Sequence, residues 1–163
     1  MASIDVLCNG FKFISRLISR TNQKNEAFKS LVKFLDKELA VTDGDDHDFY
    51  HQFNGIENLN QVVIFTVNEK VVACGAIKRM DSSTAEIKRM YTAPEHRGRG
   101  IAYKIINELE SWARELEYSR LILETGSRQT SALKLYEKVG YRRMSNYGPY
   151  VDMENSICFQ KMI

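Results

Sequence analysis

The sequence predicts an α/β fold, a mixed, mostly antiparallel twisted sheet of six or seven strands flanked by about four helices. Three observations predict it. β-rich segments separated by short polar turns fill the middle of the chain, and one strongly amphipathic helical stripe follows them. After that helix comes Leu121, Ile122, Leu123, an uninterrupted apolar run of the kind found in a strand buried on both faces. Strand, helix and strand in this order imply a right-handed crossover. The 163 residues suit a single domain over 1–163, since domains commonly run to roughly 100 to 200 residues.

Taken in order, a first strand is expected around Lys12 to Ser19. The segment Asn25 to Val41 carries Phe28, Leu31, Val32, Phe34, Leu35 and Leu39 at helical spacing, with Asn25 placed to cap it. An acidic turn, Thr42 to Asp48, leads to a short helix through Tyr50 and Phe53. Gln61 to Val67 and Lys70 to Lys78 are split by Asn68 and Glu69, the form of a two-residue hairpin. Asp81 to Ser83 makes a further turn, and Thr84 to Thr92 returns as the next strand of a meander. Within it Ala85 and Ile87 keep one parity and Met90 the other, so alternation breaks near Lys88 and Arg89, as at a β-bulge. From Gly100 to Leu116 the residues Ile101, Ile105, Ile106, Leu109, Trp112, Ala113 and Leu116 form the helical stripe. Ser131 to Val139 is a last helix stopped at Gly140. Tyr141 to Met144 and Ser156 to Met162 read as two terminal strands joined by the aromatic loop Tyr147 to Tyr150.

The net charge of +2, from 23 basic and 21 acidic residues, gives no sign of a nucleic-acid partner. Cysteines at 8, 74 and 158 lack CxxC spacing and an even count, which fits a reducing compartment, and the cytoplasm is expected. No apolar stretch approaches the ~20 residues that span a bilayer, so no membrane partner is expected. Gly10 to Lys24 is basic and acid-free, as transit peptides are, but Phe11 and Phe13 alternate as in a strand, the reading preferred here.

The segment Arg97, Gly98, Arg99, Gly100, Ile101, Ala102 lies between a strand and the first turn of the strong helix. Unpaired N–H groups at a helix start, side-chain-free glycines and two arginines together make a place for an anion; a solvated turn is the plain alternative. A Walker A loop is absent, and the GxGxxG fingerprint fails at Tyr103. What remains is R-x-x-G-x-A between a strand and an amphipathic helix. This resembles the acetyl-CoA pyrophosphate loop of the GNAT superfamily of N-acetyltransferases, whose pattern is Q/R-x-x-G-x-G/A. The resemblance continues in order through Glu86-Ile-Lys-Arg-Met-Tyr-Thr-Ala-Pro94, the loop, Leu121-Ile-Leu-Glu-Thr125 and Ala132-Leu-Lys-Leu-Tyr-Glu-Lys-Val-Gly-Tyr141. It covers essentially Phe11 to Ile163, more loosely before Val62.

That resemblance implies a GNAT fold with a splayed central pair of strands and acetyl-CoA as cosubstrate. It implies that backbone groups at Met90, Tyr91 and Thr92 bind the pantetheine arm and the thioester carbonyl. The pyrophosphate would lie on Arg97, Gly98, Arg99, Gly100, Ile101 and Ala102, with Gln129, where members often carry Asn, touching the arm. Tyr136 matches the family tyrosine near the CoA sulfur, and its phenol could protonate the leaving thiolate; from spacing alone it would be a core aromatic. Glu86 stands where some members carry a glutamate that deprotonates the amine; otherwise it is an ordinary strand residue. Cys74 and Cys158 read as small core residues.

The function so implied is transfer of an acetyl group to a primary amine of a small molecule by direct attack in a ternary complex. A protein or peptide acceptor and a non-catalytic acyl-CoA sensor are the alternatives, and homodimerisation is left open. His47 and His51 among Asp43, Asp45, Asp46 and Asp48 lack the pattern of a known metal motif, so no metal is expected. Two readings of the four aspartates stay open: they cap a helix and face bulk water, or they draw cationic amines toward the thioester, with cation–π contacts from Tyr50, Tyr147 and Tyr150 where these converge.

Overall fold

The computed structural model describes residues 3–9 and 12–163, with side chains from residue 15 onward. One sheet runs through the molecule in the order β1(Ser3–Asn9), β2(Lys12–Thr21), β3(Gln61–Val67), β4(Lys70–Arg79), β5(Thr84–Thr92), β6(Arg120–Gly126), β8(Ser156–Met162), β7(Arg142–Met144). The expected α/β class holds, and β1 pairs ahead of the expected first strand, making eight strands among the described residues. Phe11 lies outside the described residues. All neighbours are antiparallel except β5 and β6, which are parallel and joined by the helix α3(Ile101–Glu115).

Local chemistry accounts for the element ends. The Asn25 side chain accepts the Phe28 N–H at 2.9 Å and caps α1(Glu26–Asp43). Asn68 and Glu69 both have positive φ, 47° and 67°, the geometry of a tight two-residue hairpin between β3 and β4. Asp81 Oδ1 accepts the N–H groups of Ser83 and Thr84 at 2.8 and 2.7 Å and so starts β5. A short helix α2(His47–His51) follows α1, and α4(Thr130–Lys138) stops before Gly140, whose φ is 91°.

The core packs α1 and α3 on the central strands. Phe28, Ile105, Ile106, Leu109 and Leu121 are fully buried, and Leu123 nearly so. A Cβ on Gly75 would come 2.8 Å from Ile105 Cγ2 and 3.0 Å from Leu109 Cδ1, so α3 sits on β4 at a distance only glycine allows. Three members of the expected apolar stripes fall outside the core: Phe34 is exposed on α1, Leu39 is half-buried at the cleft, and Leu116 is exposed past the end of α3. No described helix is long and apolar enough to cross a membrane.

Candidate active site

The parity break in β5 is a bulge. Ala76 pairs with Lys88 and Cys74 with Tyr91, so β5 spends one residue more than β4 across this step. Arg89 takes the strain with φ 57°, an uncommon conformation for a residue with a side chain. On its other edge β5 pairs with β6 only from Thr84 to Glu86. Beyond that point the two strands part, and backbone groups of β5 lose their ladder partners on that side.

Where the strands part, an open cleft forms, bounded by Met90 of β5, Glu124 of β6, Tyr136 of α4, Gln129 before it, and Asp43 and Tyr50 from the α1–α2 corner. Tyr136 is buried, its ring against Tyr141 and Phe159 with centroids 6.0 Å away in each case. Its hydroxyl bonds to no other described residue. Burial, then the charge of Glu124, pushes this phenol well above the usual tyrosine range, so it carries its proton at neutral pH.

Glu124 is the residue that sequence reasoning missed. Burial pushes its carboxyl up to about 7; the Ser156 hydroxyl and Lys88 hold it down, while Glu86 and Asp43 raise it further. Ser156 Oγ donates to Glu124 Oε1 at 2.8 Å, and since that bond uses the serine proton, Tyr50 donates to Ser156 Oγ at 2.9 Å. A carboxyl poised near neutrality on a cleft wall is matched to proton transfer. The signal available in the sequence was one acid at the end of an otherwise apolar strand, LILETG.

Glu86 is not on the cleft wall. It is buried behind it, accepting from Tyr147 Oη at 2.8 Å and from Lys88 Nζ at 3.3 Å, and Lys88 also reaches Tyr150 Oη at 3.1 Å. The aromatic loop does converge with Tyr50: Tyr50, Tyr147 and Tyr150 pack in one cluster with Cys158. Of the four aspartates only Asp43 lines the cleft. Asp46 accepts from Asn155 Nδ2 at 2.7 Å, and Asp45 and Asp48 are exposed.

The glycine turn is open on its outer side. Gly98 and Gly100 have φ of 72° and 74°, and a Cβ on either would meet no atom within 4 Å. Gly100 caps α3 without a side chain, so the first-turn N–H groups are left for an outside acceptor. Ile101 is buried, which leaves its backbone as its contribution, and Arg99 is exposed. Arg97 is engaged within the protein: Nη2 lies 2.7 Å from both Glu38 oxygens, and Nε donates to the Thr92 carbonyl at 2.8 Å. Tyr91 packs under this guanidinium at 5.6 Å. Gln129 Oε1 accepts from Thr125 Oγ1 at 3.2 Å on the cleft wall.

Cys74 and Cys158 are free and buried. Burial pushes the thiol of Cys74 up to about 12 and that of Cys158 up to about 11, so neither is a thiolate at neutral pH.

Comparison with known proteins agrees with this architecture. Residues 28–141 match the Acetyltransferase (GNAT) family. Uncharacterized N-acetyltransferase YsnE of Bacillus subtilis is 33% identical over 97 residues, 58% of this chain and 64% of that protein. IAA acetyltransferase of Azospirillum brasilense is 38% identical over 81 residues, 49% and 53% of the two chains. The chain thus spans between half and two thirds of the length of these curated relatives. A Klebsiella pneumoniae structure described as an acyl-CoA N-acyltransferase superposes with a TM-score of 0.75 at 27% identity, covering 89% of this chain and 95% of that one. A GNAT family acetyltransferase from Elizabethkingia anophelis with acetyl-CoA bound shares the fold, with a TM-score of 0.64 at 18% identity over 91% and 98% of the chains. The family match takes in α1, the bulged strand, the glycine turn and the helix carrying Tyr136, and the chain belongs to the GNAT family of acetyltransferases.

Proposed function

We propose that the protein is an acetyl-CoA-dependent N-acetyltransferase acting on a primary amine of a small molecule by direct attack in a ternary complex. The observation that carries this reading is the cleft at the splay of β5 and β6, with a neutral phenol, Tyr136, and a carboxyl poised near pH 7, Glu124, on its walls. The bound cosubstrate supplies an acetyl group activated as a thioester. The turn fits its pyrophosphate, since Gly98 and Gly100 leave room at the start of α3 and its N–H groups are uncapped. Arg97 and Arg99 add positive charge there, and Gln129 stands near the arm. Of Met90, Tyr91 and Thr92, the Tyr91 N–H faces β4, in step with the Ala93 N–H that bonds Val72, which leaves its neighbours as the backbone donors of the parted edge.

Each residue then has a task. Glu124, ionised, takes the proton of the incoming ammonium so that nitrogen has a lone pair. N–H groups of β5 past the bulge hold the thioester carbonyl and the charge that develops on it. Tyr136 gives its proton to the departing sulfur. Glu86 acts from behind the wall as a positioning residue, its carboxylate holding Lys88 and Tyr147. The neutral buried thiols of Cys74 and Cys158 favour direct attack over an acetyl-cysteine route.

Release of CoA thiol against a panel of amines, amino acids, aminoglycosides and peptides tests the reading, with mass spectrometry of the product. Acetylation of small amines supports it. Tight acetyl-CoA binding without turnover of any acceptor would make the protein a sensor, and turnover of peptides alone would make it a peptide acetyltransferase.

Gly100→Val should lower acetyl-CoA affinity by about tenfold or more without global unfolding. The side chain points into open space in the free protein, at a local strain of order 1 kcal/mol, but occupies the ground a phosphate needs. Calorimetric titration showing unchanged affinity would remove the turn from the site.

A further inference from the structure

The cations on the cleft wall already have partners. Lys88 is held by Glu86 and Tyr150, and Arg89 by Asp36 of α1. The carboxylates are different. Glu124 has one hydrogen bond, from Ser156. The Asp43 side chain is only 7% exposed, and neither of its oxygens receives a hydrogen bond from another described residue. His47 Nδ1 stands 3.9 Å away, beyond hydrogen-bond reach, and that nitrogen is itself buried without a partner.

Asp43 is poorly placed for a structural carboxylate. It is the last residue of α1, where the helix dipole is negative. Burial pushes its carboxyl up; Asp46 adds to this, while His47 and Arg128 oppose it. Arg128 bonds the Thr42 and Asp43 carbonyls, and no bond to the carboxylate is formed. A largely buried carboxylate without a donor is costly unless a cation joins it. Asp43 lines the cleft and also a smaller adjoining recess that reaches Asp46, with Tyr50 bordering both.

The reacting nitrogen cannot fill this role, because it gives up its proton before attack. We propose that Asp43 binds a second positive charge carried by the acceptor, which makes the acceptor a small diamine or a longer polyamine. This rests on the acetyltransferase reading above. One amine lies at Glu124 and Tyr136, and the other, still an ammonium, sits at Asp43 beside Tyr50.

The test compares kcat/KM for short α,ω-diaminoalkanes with that for n-alkylamines of equal chain length. It uses the full chain at saturating acetyl-CoA, in wild type, Asp43→Asn and Asp43→Glu, with melting temperature as the folding control. Wild type should prefer the diamine by about tenfold or more. Asp43→Asn should bring the ratio to about one, chiefly through KM, and Asp43→Glu should keep part of the preference. Equal use of both amines by wild type, or a preference that survives in Asp43→Asn, overturns the proposal. If Asp43→Asn fails to fold, the wild-type ratio and Asp43→Glu still decide. Acetylation of neutral or anionic acceptors instead would overturn the role of Asp43 while leaving the acetyltransferase reading intact. Absence of any acceptor would overturn both.

Discussion

Glu124→Gln should lower kcat/KM for the acceptor by about 10²-fold or more and remove the acidic limb of the pH profile. In wild type the rate should rise through about pH 7, as the carboxyl becomes the ionised base. Glutamine keeps the shape and the bond from Ser156 but takes up no proton. Glu86→Gln separates the two acids: removing its charge, which raises Glu124, should move the limb to lower pH and leave it present. A Glu124→Gln profile that retains the limb would place the base elsewhere.

The same substitution should stabilise the protein at alkaline pH. An unfolded glutamate loses its proton near 4.5, and in the fold Glu124 keeps it up to about 7. Between those values the folded state holds a proton that the unfolded state has lost, so stability falls as pH rises through this window. Above it the buried charge costs on the order of 3 kcal/mol, which glutamine does not incur. Thermal melts at pH 8 and pH 5 check this: the variant should gain at pH 8 and gain little at pH 5. A gain in stability with a loss of rate is what a strained functional carboxylate produces.

Tyr136→Phe should lower kcat by about 10²-fold or more while acetyl-CoA affinity persists, because in the proposed mechanism the phenol acts on the departing sulfur and not in holding the cosubstrate. The folded protein should survive, since the ring makes the packing contacts with Tyr141 and Phe159 and the hydroxyl bonds to no described residue. Calorimetry for affinity and single-turnover kinetics for the chemical step separate the two effects. Equal losses in affinity and rate, or no loss of rate, would return Tyr136 to a packing role.

Much of this fold was legible because its signals are local. The Asn25 cap, the Asn68–Glu69 hairpin, the start of β5 and the Gly140 stop depend on short-range hydrogen bonds and φ preferences, and each lies where the sequence placed it. The bulge was legible as well, because a parity break shows directly in a period of two. The strand Ser3–Asn9 was missed although Asn9 and Gly10 stand before β2 as a turn signal, because the expected sheet begins at the alternation of Phe11 and Phe13.

The site divided along the same line. Sequence by itself determined the glycine turn, the bulge in β5 and the helix that carries Tyr136, since these follow from local turn chemistry, strand parity and helical register. Tertiary structure decided which carboxylate reaches the cleft. Glu86 and Glu124 are both acids in central strands, and only the parting of β5 from β6 leaves Glu86 covered by Lys88 and Tyr147 and Glu124 on the wall. It also decided that Asp43, alone of its acidic cluster, lines that cleft, while Asp45 and Asp48 face water. Burial and the company of distant charges set what a carboxyl can do, and neither is a property of its neighbours in sequence.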